Sequence, residues 1–300
     1  MMTTYTGAEI ERKQTSRNSM GKIALRILGG ILAFILGVGI VFGGVAWFGL
    51  VNAVTNEPTP RMVADLGLAL VVSGLVLLYA QRLGGVPIRA FSFTWDRRGM
   101  LLTVVAGIVT LGWAAGYVLM LGQSGAHPLT VVMPPLSVLL IGVIGELGVL
   151  HEEVLSRGYF LPLLQQRYGI GWAIFVSSVL FSLTHIFFKK VDFLLVSHFL
   201  VGIGFAYMYI KSGSLWTPIV VHAFHNLATD LFVTGNDNGV SLGIAIFHFA
   251  TKLSVLERLG FDLLLALLMV GVTYLVYGRG TGLLEPAATL RHRWAAFSEQ

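Results

Sequence analysis

Long apolar runs separated by short polar segments dominate the chain. After a mostly polar start over residues 1–26, an apolar run extends from Ile27 to Val51. Each run is long enough, as a helix, to cross a hydrocarbon core about 30 Å thick. The pattern predicts an all-α fold, a polytopic membrane helical bundle of about eight transmembrane helices. The seven further apolar runs occupy residues 64–81, 100–122, 129–150, 171–188, 192–210, 215–234 and 261–280.

These runs predict a single transmembrane helical domain over residues 27–280, with a polar tail over 1–26 and a second tail over 281–300. Arginine and lysine residues flank the first, second and last spans, and basic loops stay on the cytoplasmic side of a membrane. With eight spans, both termini and both tails are expected in the cytoplasm. Segment 241–258 begins apolar and then becomes charged, so we expect it to be interfacial or re-entrant.

The composition agrees with a membrane protein. Of the 300 residues, 55% are hydrophobic and 12% are charged, whereas soluble domains carry roughly 25% charged residues. The chain has no cysteine, which excludes disulfides, thiolate nucleophiles and cysteine metal sites. The net charge of +5 is best explained by topology and by anionic lipid, and it does not predict a nucleic-acid partner. The expected location is the cell membrane, with membrane lipid as a partner.

Two adjacent carboxylates stand out within the apolar sequence. Glu152 and Glu153 are followed by Arg157, and ionised groups at membrane depth are usually kept for function. Glu153 and Arg157 are four residues apart and share one helix face, so we expect Arg157 to neutralise Glu153. Glu152 points about 100° away, which leaves it available for chemistry.

Two histidines and an asparagine follow within later apolar runs. If Gly169 marks a helical hairpin, Glu152 and His185 lie level, each about 25 Å from the turn. His222 and Asn226 are four residues apart on one face. His222 would match that level if the hairpin projects about 10 Å further into the cytoplasm. The pattern predicts a catalytic cavity inside the membrane, near its cytoplasmic face.

This set of side chains permits two kinds of chemistry. In the first, Glu152 and His185 activate a water, and His222 and Asn226 donate to the oxyanion of a tetrahedral intermediate. In the second, Glu152, His185 and His222 ligate a zinc ion that activates the water. Asparagine is a poor zinc ligand and a good oxyanion donor, so the first is favoured. No cofactor is therefore expected, although zinc stays open.

The three motifs resemble those of the CAAX-protease and bacteriocin-processing family of intramembrane endopeptidases, which includes the eukaryotic Ras-converting enzyme. The chain has Glu152-Glu153-x-x-x-Arg157, Phe181-x-x-x-His185 and His222-x-x-x-Asn226, together with Gly213-Ser-Leu-Trp-x-Pro218 as in prokaryotic members. The resemblance covers about 145–230, the expected catalytic core.

The resemblance implies hydrolysis of a peptide bond in a membrane-associated peptide or protein. It takes Glu152 and His185 as the water-activating pair, and His222 and Asn226 as the oxyanion hole. Family members have been argued to be glutamate-type or metal-dependent, so both remain open. The eukaryotic branch cuts after a prenylated cysteine, and the match to the prokaryotic pattern does not carry that substrate over.

Two other functions were weighed against a protease. A non-catalytic scaffold or immunity protein would keep the same fold and bind a peptide or lipid without cutting it. A proton- or ion-coupled transporter would use the buried Glu and His as a relay, but the chain shows no internal repeat. Near the main cluster, Glu146 and His151 are equally well explained as supports of the site and as packing residues. His225 is expected either to support the site from behind or to face another helix, and His198 is expected to pack against a helix, with a position at the cavity left open.

Overall fold

The computed structural model describes residues 20–123, 128–187, 193–232, 245–249, 253–278 and 282–298. Within them the fold is a helical bundle with one short pairing of two strands, which confirms the predicted all-α polytopic class. The main helices are α1 (Met20–Trp47), α2 (Val51–Asn56), α3 (Pro58–Gly84), α4 (Arg97–Gln123), α5 (Leu136–Gly145), α6 (Leu150–Glu153), α7 (Leu161–Thr184), α8 (Leu194–Ser212), α9 (Trp216–Phe232), α10 (Val255–Tyr277) and α11 (Ala288–Ser298). Strands β1 (Pro128–Val131) and β2 (Phe247–Phe249) pair antiparallel.

Five of these helices, α1, α3, α4, α8 and α10, are long and apolar enough to cross a membrane. The helices that carry the polar motifs are more polar or shorter, and α9 has 17 residues. The predicted total of eight spans therefore stays a prediction. The N-terminal helix begins at Met20, before the expected start at Ile27.

The start of the fourth predicted span was wrong. Residues 128–131 form β1, and helix α5 begins only at Leu136. Two adjacent prolines, Pro134 and Pro135, explain the delay, because proline lacks the N–H that a helix interior needs and restricts the residue before it. From Leu136 the chain stays helical to Phe160 and continues as α7, through a 3₁₀ turn at Glu146–Val149 and a π-helical segment at Val154–Phe160.

The expectation that 241–258 is interfacial or re-entrant stays a prediction, but the predicted start of the last span at residue 261 was wrong. Residues 247–249 form β2, and α10 begins at Val255 rather than at 261. Ser254 and Glu257 form a capping box, which satisfies free N–H groups at the helix start. Arg258 pairs with Asp262 at 3.0 Å, so its charge is matched within the helix. The rest of 241–258 lies outside the described residues, apart from residues 245–246 and 253.

Helix α8 lies at the centre of the bundle. Its most apolar window is 61% buried, whereas that of α1 is 17% buried. Helix α8 packs against α7, α9 and α10. Its buried surface includes Gly202 and Gly204, and Gly204 lies against Met269 of α10. The central helix is therefore placed to touch both histidine-bearing helices.

The C-terminal segment docks onto the end of α8. The Lys211 ammonium donates to the carbonyl oxygens of Gly282 (2.6 Å) and Glu285 (3.0 Å). Trp294 of α11 is buried and lies against Tyr209. The Gly282 N–H and the Arg291 guanidinium hold the pKa of Glu285 below its ordinary value. The predicted tail over 281–300 thus contains a packed helix.

A loop between α3 and α4 joins the same junction. Ser92 has a left-handed backbone (φ 59°), which non-glycine residues rarely adopt. Its hydroxyl donates to the Gly213 carbonyl, and its own carbonyl accepts from the Leu215 N–H at 3.0 Å. Arg293 of α11 donates to the Arg89 carbonyl at 3.3 Å. The loop therefore holds the turn from which α9 begins.

Candidate active site

A helical hairpin brings Glu152 and His185 together. Gly169 has a positive φ of 75° and breaks α7 into two arms, at the turn that the sequence predicts. The Glu152 Oε2 lies 3.6 Å from the His185 Nε2. This separation is longer than a direct hydrogen bond and short enough for both atoms to face one water.

The ring of His185 is fixed by three contacts. Its Nδ1 lies 3.1 Å from the Phe181 carbonyl oxygen, which only accepts, so Nδ1 carries the proton of that bond. The edge of Phe181 meets the ring at 5.1 Å. The imidazole of His198 stacks on its face, with centroids 3.8 Å apart and planes inclined by 22°. In the neutral ring, the Nε2 lone pair therefore faces Glu152.

Glu153, Arg157 and His222 form a second, fully packed group. The Glu153 Oε1 accepts from the Arg157 guanidinium at 2.9 Å and from the His222 Nδ1 at 2.8 Å. Arg157 also donates to the Gly202 carbonyl at 2.8 Å and lies 4.3 Å from the centroid of Phe181. Glu153 and Arg157 are both 0% exposed. The expected pairing of Arg157 with Glu153 is present, and His222 is an additional partner of the same carboxylate.

The backbone between residues 150 and 160 explains why Glu152 and Glu153 face different neighbours. Glu152 and Glu153 end α6, and Arg157 follows in the π-helical segment Val154–Phe160. Such wider turns are rare and are frequent at functional sites. Pro162 follows this segment inside the continuous helix and removes one backbone N–H donor there. Glu153 and Arg157 thus share one face, while Glu152 faces the hairpin partner.

The hydrogen bond to Glu153 determines which protonation state of His222 can donate a hydrogen bond from Nε2. Since the carboxylate accepts, His222 Nδ1 carries a proton, and Nε2 donates only when the ring is an imidazolium. The ring stacks on Phe205, with centroids 4.6 Å apart, and meets the edge of Phe181 at 5.6 Å. His222 and His185 therefore flank the same Phe181 ring. An imidazolium here would have Glu153 as its counter-ion.

Asn226 lies one turn beyond His222 on α9, beside a carboxylate whose role the sequence left open. The 3₁₀ turn that contains Glu146 packs against α9, which carries Asn226. Glu146 is 7% exposed and lies in the 3₁₀ turn before α6. The sequence signal for Glu146 was its charge inside an apolar run, but no spacing rule linked it to Asn226.

Other polar residues have structural neighbours. His225 packs against Trp113 and Phe205, as expected for a residue that faces another helix. His151 stacks on Phe34, and its Nδ1 lies 2.5 Å from the Gly148 carbonyl oxygen. His198 stacks on His185, so its contacts include a residue of the site. That contact joins the 3₁₀ turn His185–Phe187, which follows α7, to α8, and it has no signature in the sequence.

The zinc alternative requires Glu152, His185 and His222 to face one metal ion. The Nδ1 of His222 is bonded to Glu153, and that of His185 to a backbone carbonyl. Within the described ranges, no three residues of the types His, Cys, Asp and Glu are arranged to hold a metal ion. An Nδ1 held in this way is also what metal-ligating histidines usually show, so the zinc alternative with Glu152, His185 and His222 as ligands stays open.

Comparison with known proteins identifies one family. Residues 134–228 match the model of the family described as type II CAAX prenyl endopeptidase, Rce1-like. The matched segment includes the three motifs and confirms the resemblance to CAAX proteases. Neither the curated proteins nor the solved structures that were searched gave a match. The match covers about a third of the chain, so it supports a resemblance to these peptidases, in a protein with several apolar helices.

Proposed function

We propose that this protein is a glutamate-type intramembrane endopeptidase. The proposal starts from the match of residues 134–228 to the CAAX-protease family model. The observation that carries the proposal is the pair Glu152 and His185, whose facing atoms are 3.6 Å apart. Both atoms can accept hydrogen bonds, so a single water can donate one hydrogen to each. The Glu152 side chain is 18% exposed, while its Oε2 atom is itself buried, so the proposed water lies in an enclosed position between the two side chains.

The attack step uses this water. Glu152 takes one proton as the water oxygen bonds to the carbonyl carbon of the scissile peptide. The His185 Nε2 accepts a hydrogen bond from the other O–H of the water and so orients the water oxygen. The Phe181 carbonyl keeps the proton of His185 on Nδ1, so the ring presents an acceptor rather than a donor. The carbonyl π electrons move to its oxygen, which becomes the oxyanion.

The oxyanion is stabilised by donors on α9. The His222 imidazolium donates from Nε2, and Asn226 donates from its amide nitrogen. Glu153 holds the His222 ring through Nδ1. Arg157 fixes Glu153 in turn. When the tetrahedral intermediate collapses, the C–N bond breaks and Glu152 returns its proton to the leaving amine.

The proposed setting is the cell membrane, with both termini in the cytoplasm and the site near the cytoplasmic face. The substrate is a membrane-associated peptide or protein, and no nucleic acid takes part. No step of the proposed mechanism passes through a metal ion. A prenyl group on the substrate is not part of the proposal.

A cleavage assay with paired variants tests the proposal. Purified protein in lipid vesicles is given a panel of quenched fluorescent peptides that end in a CAAX sequence, with and without a farnesyl group, and transmembrane peptides without one. Glu152→Gln should lower the cleavage rate by about 10²–10⁴, since a positioned general base contributes that much. His222→Phe should also lose activity through the oxyanion hole.

His225→Phe is the matched control for His222→Phe. It is the same substitution on the same helix, at a residue that contacts Trp113 and lies outside the proposed machinery. It should cleave at close to the rate of the unchanged protein. Cleavage that survives Glu152→Gln at full rate would refute the mechanism, and a protein that binds these peptides without cutting any of them would support the scaffold alternative.

A further inference from the structure

We infer that one face of α8 is a template for the active site, on which two aromatic rings fix the orientations of both proposed catalytic histidines. His198 supplies the ring that lies against His185. Phe205 supplies the ring that lies against His222. Both are positioning residues, and α8 contributes no residue to the three motifs. The inference rests on the proposed function, since it concerns the same hydrolysis.

The geometry of α8 places the two rings on one face. The helix is continuous over Leu194–Ser212, and His198 and Phe205 are seven residues apart. Seven residues make nearly two turns, so the two side chains differ by about 20° in direction and about 10 Å in height. Both contacts are face-to-face stacks, with planes inclined by 22° at His185 and by 26° at His222. One rigid helix therefore sets the relative placement of the two halves of the site.

The part of α8 between the two rings is closely packed. A Cβ built on Gly202 would lie 3.0 Å from the ring of Phe181. A Cβ built on Gly204 would lie 2.9 Å from the sulfur of Met269. The Gly202 carbonyl also accepts from the Arg157 guanidinium at 2.8 Å. Because neighbours approach the backbone this closely on both sides, α8 is suited to hold its side chains at fixed positions.

The ring of His222 needs a support of this kind. Its hydrogen bond from Nδ1 to Glu153 holds one atom and leaves the ring able to pivot about that bond. The terminal torsion of histidine is broad, so the residue itself does not set the plane of its ring. The face of Phe205, with centroids 4.6 Å apart, sets that plane. Phe205 is itself 0% exposed. The His222 Nε2 is thus kept in one direction, which is the direction proposed for donation to the oxyanion.

The ring of His185 is supported in the same way. Its Nδ1 is held by the Phe181 carbonyl oxygen at 3.1 Å, and this bond again fixes one atom of the ring. The stack on His198, with centroids 3.8 Å apart, fixes the plane. The Nε2 lone pair is then directed at the position proposed for the water.

Variants of α8 test the template. Phe205→Leu keeps an apolar side chain but removes the flat ring, and it should lower kcat about 2- to 10-fold, the range that an aromatic pair contributes. His198→Ala should lower kcat by a similar factor. KM should stay unchanged in both, since the rings act on groups that stabilise the transition state. Phe205→Met serves if the leucine variant does not fold.

Phe199→Leu is the matched control for Phe205→Leu. It is the same substitution on the same helix, at a ring that contacts Phe175 instead of a histidine. Its kcat should stay close to that of the unchanged protein. Equal losses of kcat in the two leucine variants would overturn the inference, because they would show a general effect of repacking α8.

The decisive measurement is kcat in a double-mutant cycle with His222→Phe, using the residual cleavage under single-turnover conditions. If Phe205 acts through His222, Phe205→Leu has no further effect once His222 is replaced. The same loss in both backgrounds, or a loss confined to KM, would overturn the inference. Either result in an active protein rejects only the template. If the unchanged protein cleaves no peptide of the panel, the proposed function and the template fall together.

Discussion

Removal of Arg157 should destabilise the protein strongly, because it would leave a buried carboxylate without its main cation. Arg157 and Glu153 are 0% exposed and 2.9 Å apart. At an effective dielectric constant of about 20, that separation corresponds to an attraction of about 6 kcal/mol. Desolvation and the remaining hydrogen bond from His222 reduce the net value. Breaking a buried pair by removing one partner typically costs about 3–5 kcal/mol, which we take for Arg157→Leu.

The assay is thermal unfolding of the detergent-purified protein, followed by intrinsic tryptophan fluorescence. A loss of 1 kcal/mol lowers Tm by roughly 2–4 °C in a chain of comparable size, so Arg157→Leu should lower it by about 6–20 °C. The Tm of Arg157→Lys should lie between that of the unchanged protein and that of Arg157→Leu. It keeps a cation but loses the planar contact with Phe181 and the geometry that reaches both Glu153 and the Gly202 carbonyl.

Arg167→Leu is the matched control for this prediction. Arg167 is exposed at the hairpin turn, and surface substitutions usually change stability by less than about 0.5 kcal/mol. Its Tm should therefore stay within about 2 °C of the unchanged protein. If Arg157→Leu unfolds at the same temperature as Arg167→Leu, the reasoning from the buried pair is refuted.

Three further predictions test other contacts. Gly158→Ala should lower stability by about 1–3 kcal/mol, because the added methyl group would overlap the buried ring of Phe91; a Tm equal to that of the unchanged protein would contradict the packing. His198→Ala should lower the cleavage rate about 2- to 10-fold by removing the ring that stacks on His185, whereas His198→Phe should retain it; equal rates for both variants would count against the stack. Cleavage should continue at an unchanged rate in the presence of o-phenanthroline, since the proposed water activation uses Glu152 and His185 alone; a chelator-sensitive rate that zinc restores would favour the metal alternative.

The sequence could predict the contacts that follow from helix geometry alone. Residues four apart on a helix share a face, which is why the pairing of Glu153 with Arg157 could be predicted. Counting residues on both sides of Gly169 placed Glu152 level with His185, because each residue adds a fixed rise. Both contacts depend on one segment, or on two segments joined by a short turn.

Contacts between distant segments could not be predicted in the same way. The bond from His222 to Glu153 depends on how α9 rotates against the α6 region, and no spacing rule gives that rotation. The stack of His198 on His185 depends likewise on the packing of α7 against α8. The start of α5 was misplaced because the apolar character of 129–135 outweighed its two prolines and its β-branched residues, which favour a strand.

The junction formed by the loop at Ser92, the turn at Gly213 and the C-terminal helix has a consequence for biosynthesis. Its partners are far apart in sequence: 121 residues separate Ser92 from Gly213, and 204 separate Arg89 from Arg293. The ribosome therefore delivers the helices with the proposed catalytic groups before it delivers α11. A nascent chain can insert all of those helices and still lack the segment that holds Lys211 and Arg89. The order of translation therefore makes the contacts of the C-terminal segment the last to form. A chain that ends before residue 282 would insert its helices but would lack these contacts.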